Sequence, residues 1–166
     1  MTDPDVLAVV RCAGGGERAV LEAFLDFQRA VLRRKAAGLS DRQARRRIVP
    51  SVTTIAGLLK HLAVVEYNWF ERILAQRPAQ LPDPDATFVV GEDETLEDVL
   101  AAYDAACARS REIAAKFELD DAVPQEELGQ VSLRWIYAHM IEETARHAGH
   151  ADILRELTDG ATGVLG

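Results

Sequence analysis

The sequence predicts an all-α protein, a four-helix bundle formed by a single domain over residues 1–166. Apolar residues recur at helical spacing in four long stretches, and residues that typically cap or end a helix bound each stretch. No segment has the pattern of a convincing sheet. Long helices joined by loops are typical of a four-helix bundle, and a chain of 166 residues can bury one substantial core.

The first long helix is predicted over residues 17–37. Its apolar positions follow helical spacing: Val20, Phe24, Phe27 and Val31. Gly38 is predicted to end the helix, because glycine adopts the left-handed conformation at helix C-termini without a steric penalty. A short helical turn is predicted at residues 40–43, where the Ser40 side chain is suited to cap it.

The second helix is predicted over residues 54–76, with an apolar stripe at helical spacing: Leu58, Leu62, Val65, Trp69 and Ile73. Glu66 and either Tyr67 or Trp69 could lie near a pocket, but the preferred interpretation places Glu66 on the surface and Trp69 in the core. The next segment, residues 77–94, contains three prolines and five acidic residues, which predicts a long surface loop. Loops of this length inside a compact domain are often functional.

The last two helices are predicted over residues 95–117 and 132–158. Thr95 and Asp98 resemble a capping box, with aspartate in place of the usual glutamate. Residues 118–130 contain a proline and a glycine and are predicted to form a second loop. Ser132 is suited to cap the fourth helix, and Gly160 to end it.

The N-terminal residues contain a sequence motif that is typical of dinucleotide-binding proteins. An apolar run at residues 6–10 precedes G-x-G-x-x-A at residues 14–19, which matches the dinucleotide-binding motif. That fold needs several further alternating strands and helices, whereas the rest of this chain supplies helices. We therefore interpret the N-terminus as a flexible or short helical segment that three glycines interrupt.

Composition bounds the function. A net charge of -8 and a pI near 5.0 argue against a nucleic-acid partner, and we interpret the basic run at residues 42–47 as a solvated helix end or turn. No window approaches the roughly 20 apolar residues of a membrane span, and the N-terminus lacks the basic region of a secretory signal. Two cysteines are too few for a disulfide scaffold. The expectation is a cytoplasmic protein with reduced thiols and no membrane partner.

The histidines are the main indication of chemistry. Glu143, His147 and His150 are spaced i, i+4, i+7, which stacks them on one side of a helix, and His139 lies four residues before Glu143. The same helix face carries three apolar residues: Ile136, Met140 and Leu154. This face should point into the bundle, where an ionised carboxylate is costly unless it has a partner such as a metal. Histidine and carboxylate are ligands that zinc accepts.

His61, in the second helix, lies at the edge of the buried arc. That position is compatible with reaching a cavity between two helices, and also with a half-exposed histidine that has no role. The alternative to a metal site is a bundle in which the histidines find ordinary hydrogen-bond partners. The metal site is favoured because bundle cores bind metals through inward-facing residues at such spacing. The H-E-x-x-H motif is absent, which removes the standard metalloprotease hypothesis.

Two segments together resemble the DinB/YfiT superfamily of metalloenzymes, closest to an actinobacterial branch: SVTTIAGLLKHLAVVEYNWF (residues 51–70) and WIYAHMIEETARHAGHADILREL (residues 135–157). The resemblance covers residues 24–160 and implies a four-helix bundle with a divalent metal in its core, zinc first, with nickel or iron as alternatives. It implies His61, Glu143 and His147 as the ligands. Glutamate at position 143 departs from the commonest histidine pair, but it is similar to thiol-dependent members such as mycothiol-dependent maleylpyruvate isomerase.

The resemblance further implies a low-molecular-weight-thiol S-transferase or isomerase that uses mycothiol or bacillithiol and a small electrophile. Three protein ligands leave one coordination position open. His150, where many members carry glutamine, is the candidate catalytic residue, as a second-shell or proton-handling group; a fourth ligand is the other interpretation. The loop at residues 77–94 could cover the electrophile.

Other functions remain open at this point. The fold also suits a non-catalytic metal-binding stress or binding protein, or a metal-dependent hydrolase. Cys12 and Cys107 are not expected to act as nucleophiles, because no neighbouring residue in the sequence would activate a thiol. Homodimers are common among such bundles, so a homodimer is one expectation for the assembly.

Overall fold

Helices form most of the computed structural model, which describes residues 4–78 and 80–163. The α-helices of this part of the chain are α1 Pro4–Arg11, α2 Glu17–Ala36, α3 Asp41–Ala44, α4 Ile55–Glu66, α5 Leu96–Ala114 and α6 Leu133–Asp159. The predicted all-α class is confirmed. Because residues 4–11 form α1 and not a strand, the dinucleotide-binding alternative does not apply. Among the described helices, none combines the length and apolarity that crossing a membrane requires.

The predicted caps explain where the helices begin and end. The Ser40 hydroxyl accepts a hydrogen bond from the Gln43 backbone, and Ser132 accepts one from the Trp135 backbone. Thr95 and Asp98 form the predicted capping box, which shows that aspartate can replace glutamate in this motif. Gly160 follows α6 with φ 81°, a left-handed conformation that glycine adopts readily.

Three segments differ from the helix-and-loop prediction. The second long helix changes after Glu66 into a π-helix, Tyr67–Leu74, which shifts the register of its side chains. Residues 77–94 contain a short 3₁₀ helix, Pro84–Phe88. The second loop contains an antiparallel hairpin of β1 Ala122–Gln125 and β2 Gly129–Ser132. The sequences of these strands, AVPQ and GQVS, do not alternate strictly between apolar and polar residues, and a proline lies within the first, so neither has a recognisable strand pattern.

The core consists of two apolar clusters that all four long helices share. Helix α2 packs mainly on α6, and α4 packs mainly on α5. One cluster surrounds Leu59, Leu62 and Tyr103, and the other surrounds Phe70 and Ile136 next to the hairpin. The two histidine-bearing helices, α4 and α6, are therefore held at a fixed separation by packing on both sides.

A close contact at Gly57 brings the 3₁₀ helix against α4. A Cβ atom at this position would lie 2.6 Å from the carbonyl oxygen of Phe88 and 3.0 Å from the hydroxyl of Thr54. Only glycine allows the two backbones to approach this closely. The contact places Thr87 and Phe88 beside His61, one turn further along α4.

Candidate metal centre

His61, Glu143 and His147 come together between α4 and α6, although His61 is far from the other two in sequence. The Nε2 atom of His147 lies 3.1 Å from Glu143 Oε1, and the Nε2 atom of His61 lies 3.5 Å from the same oxygen. One potential ligand atom from each side chain falls within 4.8 Å of the others. The side chains are only 10–16% exposed, so the group lies at the edge of the core, with limited contact with solvent.

The 3₁₀ helix fixes the tautomer of His61. Thr87 Oγ1 donates a hydrogen bond of 2.5 Å to the carbonyl oxygen of Pro84, so its lone pairs face His61 Nδ1 at 2.7 Å. The Nδ1–H group of His61 must therefore donate to Thr87, and Nε2 points at Glu143. Phe88 stacks on the His61 ring with a centroid distance of 4.0 Å and holds its plane. Metal-binding histidines commonly donate their other ring N–H in this way.

His147 has a similar support from its own helix. Its Nδ1 atom lies 3.4 Å from Nδ1 of His150, one turn further along α6. When Nε2 of His147 acts as a ligand, its Nδ1 carries the hydrogen and donates to His150, which must then be neutral. Partial desolvation of its ring, together with the neighbouring His147, lowers the pKa of His150 and favours this neutral form. His150 itself is exposed at the helix surface.

The electrostatics of the cluster favour a cation next to Glu143. Hydrogen bonds from His147 and then His61 lower the pKa of Glu143 well below its usual range, so the carboxylate is ionised at neutral pH. Arg146 also approaches the second carboxylate oxygen at 3.4 Å. Without a metal, an imidazole nitrogen directed at this oxygen must carry a hydrogen in order to donate to it, and a bound metal ion would replace that hydrogen.

The donor set fits a divalent metal. Two imidazole nitrogens and one carboxylate are a common three-ligand set of catalytic zinc sites. Ligand atoms around a tetrahedral zinc are about 3.3 Å apart, as follows from bond lengths of 2.0–2.1 Å. The two nitrogen–oxygen separations in the cluster, 3.1 and 3.5 Å, bracket that value. The whole set lies within 4.8 Å, so the residues could hold a metal once the two imidazoles move towards each other.

Comparison with known families agrees with this geometry. A family model described as mycothiol-S-transferase matches residues 20–160, which is most of the chain and includes all three clustered residues. The chain belongs to the mycothiol S-transferase family. The resemblance to the DinB/YfiT superfamily is thereby confirmed. A search of curated proteins finds no match to the chain.

His139 does not join the cluster in this mycothiol S-transferase family member. Its ring packs against Trp69 with a centroid distance of 4.6 Å, and it stacks on Trp135 at 5.2 Å with an interplanar angle of 12°. Trp69, expected in the core, is only partly buried and belongs to this aromatic group. The four histidines therefore divide into a pair that could bind a metal, one that supports it, and one in an aromatic cluster.

The expectation that Glu66 lies on the surface was wrong. Its side chain is 1% exposed and accepts two hydrogen bonds from Arg29, of 2.7 and 2.6 Å. Cys107 packs beside this pair, where burial and the Glu66 charge raise the pKa of its thiol to about 12. Such a thiol stays protonated at neutral pH, so Cys107 is not an activated nucleophile.

The hydrogen bonds to Glu143 should make the melting temperature of the metal-free protein depend on pH in the acid range. A carboxylate whose folded-state pKa is depressed contributes stability above its unfolded pKa of about 4.5, and this contribution is lost as the pH falls towards the folded-state value. We expect the melting temperature of Glu143→Gln, measured in chelator, to fall less than that of the parent between pH 5 and pH 3. Glu156→Gln, an exposed change on the same helix, is the control. Parallel curves for the parent and Glu143→Gln would contradict the assignment.

Proposed function

We propose that the protein is a divalent-metal-dependent mycothiol S-transferase that acts on a small electrophile. The observation that carries the proposal is the convergence of two imidazole Nε2 atoms and one carboxylate, with the Nδ1 atom of each imidazole engaged by a second residue. Family membership supports the thiol, and the three-ligand cluster supports the metal. The donor set favours zinc, with nickel or iron as alternatives, because each accepts nitrogen and carboxylate donors.

His61, Glu143 and His147 would hold the metal, and a set of three protein ligands leaves a position for substrate. When bound, a divalent cation supplies positive charge that lowers the pKa of a thiol, so that the sulfur is a thiolate at neutral pH. In the transfer, the thiol releases its proton to solvent and its sulfur forms a bond to the electrophilic carbon. The bond from that carbon to the leaving group breaks, and the leaving group takes the electron pair.

The chain's own residues orient the site and limit access to it. Thr87 and His150 set the tautomers of the two histidines, and Phe88 covers one face of His61. His150 also lines a cleft of about 320 Å³ with Ile153 and Leu154, which is a suitable place for a small apolar electrophile. Because His150 Nδ1 faces His147, we propose that His150 positions the His147 ring and does not take a proton from the substrate.

We further propose that residues 1–166 form one four-helix-bundle domain.

The proposed function is tested by assaying a bimane-type electrophile with mycothiol, bacillithiol and glutathione, with and without metal. We expect a rate with mycothiol that disappears in chelator and returns with zinc. Elemental analysis of protein purified without a histidine tag identifies the metal. Bound metal without a metal-dependent rate for any thiol would favour a non-catalytic metal-binding protein, and turnover of an ester without thiol would favour a hydrolase.

Removing the supporting hydrogen bonds should weaken metal binding without destroying the site. Thr87→Val removes the acceptor of His61 Nδ1–H while keeping the side-chain shape, and we expect zinc affinity to fall by about 10–100-fold. His150→Ala should keep metal at saturating zinc but show a similar loss of affinity and a reduced rate. Competition with a fluorescent chelator measures both. Thr158→Val, whose hydroxyl donates to Leu154 in α6, is the matched control, and equal affinities for it and Thr87→Val would contradict the role of Thr87.

A further inference from the structure

A second feature near the candidate metal centre is an aromatic cluster formed by Trp69, Trp135 and His139. The ring centroids of the two tryptophans are 5.1 Å apart, and His139 contacts both of them. Trp135 is 40% exposed, which is unusual for the largest apolar side chain. The cluster therefore presents aromatic surface to solvent, and it does so at the side of a large cleft.

That cleft has a volume of about 740 Å³ and lies between the π-helix and the β-hairpin. The aromatic cluster forms one side of it. Much of the remaining lining consists of planar polar side chains: Asn68, Arg72, Gln76, Gln125, Glu126 and Glu127. With Arg77 included, the lining has two guanidinium groups and two carboxylates. The cleft thus has many hydrogen-bond donors and acceptors but balanced charge.

We propose that this cleft binds a neutral, polyhydroxylated ring, such as a sugar or an inositol. The apolar C–H face of such a ring packs on an exposed indole, while its hydroxyl groups bond to the planar amides, guanidinium groups and carboxylates. Balanced charge gives no general preference for a phosphate or for a cation. A flat, wholly apolar ligand would leave the polar lining without partners, which is unfavourable.

The position of the cleft connects it to the candidate metal centre. His139 precedes Glu143 by one helical turn on α6, a rise of about 6 Å. Trp135 precedes Glu143 by two turns, a rise of about 12 Å, so a two-ring ligand that extends from Trp135 past His139 would bring a thiol on a short linker towards the three-residue cluster. This inference rests on the proposed function, since mycothiol carries its cysteine on a glucosamine–inositol unit. The cleft would bind that unit and the three-residue cluster would receive the sulfur.

Intrinsic fluorescence tests the site directly, because the chain has two tryptophans and both line this cleft. The metal-free protein is titrated with N-acetylglucosaminylinositol, which is neutral, lacks the cysteine and cannot react. We expect a saturable change in tryptophan emission, and calorimetry should give at least a tenfold weaker affinity for Trp135→Ala. Leu157→Ala, an exposed apolar change on the same helix, should bind as the parent does. The absence of saturable binding to the parent overturns the proposal.

Kinetics provide an independent readout. For Trp135→Ala we expect KM for mycothiol to rise at least tenfold with little change in kcat, while kcat/KM for N-acetylcysteine, which lacks the rings, stays the same. An equal loss with both thiols, or a raised KM only for an aromatic electrophile, overturns the proposal. The two hypotheses fail separately: ring binding without turnover removes only the transferase, whereas mycothiol turnover without ring binding removes only this subsite.

Discussion

His147→Ala is expected to lose bound metal and thiol-transfer rate together. His147 is the residue whose Nε2 lies closest to Glu143, at 3.1 Å, and its removal leaves one imidazole and one carboxylate. Loss of a residue that hydrogen-bonds to a metal ligand typically reduces metal affinity by about 10–100-fold, so the loss of a ligand itself should reduce the affinity by more than about 100-fold. Inductively coupled plasma analysis after dialysis, and the mycothiol assay with added zinc, measure the two quantities.

The matched control is His139→Ala, which removes a histidine of the same helix that contacts the tryptophans instead of Glu143. Its metal content should equal that of the parent. Glu143→Gln and His61→Ala should behave like His147→Ala, and unchanged helical circular dichroism in chelator would show that the fold is intact. Full metal content in His147→Ala would falsify the proposed ligand set.

The inward face of α6 could be predicted because its evidence is local. Glu143 and His147 share a helix face with Met140, and one helical turn brings their side chains together whatever the rest of the chain does. The position of the His61 side chain could not be predicted from local evidence, since a residue at the edge of a buried arc can point into a cavity between helices or towards solvent. The packing of α4 against α6 brings it to within 3.5 Å of Glu143.

Thr87 and Phe88 could not be predicted, because their role depends on the path of a loop. A threonine in a proline-rich segment has no periodic pattern that would place it beside His61. The one local indication was Gly57, a glycine inside a predicted helix, which often marks a close approach of two backbones. In the structure that approach is made by the carbonyl of Phe88.

The π-helix is another feature that the apolar pattern could not predict. The sequence stripe through Trp69 and Ile73 assumed a regular helix from residue 54 to 76, whereas the backbone changes register after Glu66. In this register Trp69 contacts Trp135 and His139 at the side of the cleft, while Phe70 and Ile73 are buried. A regular-helix wheel therefore misplaced Trp69 in the core.

The buried ion pair of Arg29 and Glu66 leads to the largest stability prediction. Both side chains are at most 5% exposed, and the guanidinium donates to both carboxylate oxygens in a bidentate arrangement. Asp26 accepts a third hydrogen bond from Arg29, at 2.8 Å. Burial acts to lower the pKa of Arg29, but the Glu66 charge and the hydrogen bonds to Glu66 and Asp26 together outweigh it and raise the pKa, so the arginine stays charged. Removing Arg29 would leave Glu66 as an uncompensated charge in the core, and removing Glu66 would leave Arg29 with only the more exposed Asp26 as its partner.

We expect Glu66→Gln and Arg29→Met each to lower the free energy of unfolding by about 3–5 kcal/mol. For a domain of this size such a loss corresponds to a fall in melting temperature of about 6–20 °C. The double variant Arg29→Met/Glu66→Leu should be more stable than either single variant, because it removes both charges and fills the space with apolar atoms. Urea unfolding of the metal-free proteins measures these differences.

Asp104→Asn is the control for this comparison, since it breaks the ion pair with Arg33, whose side chain is 53% exposed. Solvent already screens that pair, so its loss should leave the free energy of unfolding nearly unchanged. If Glu66→Gln were as stable as Asp104→Asn, the carboxylate would not be held as a buried anion. The double variant could instead be less stable than both Glu66→Gln and Arg29→Met. That result would show that the Arg29–Glu66 ion pair contributes net stability, because it joins α2 to α4 in addition to neutralising both charges.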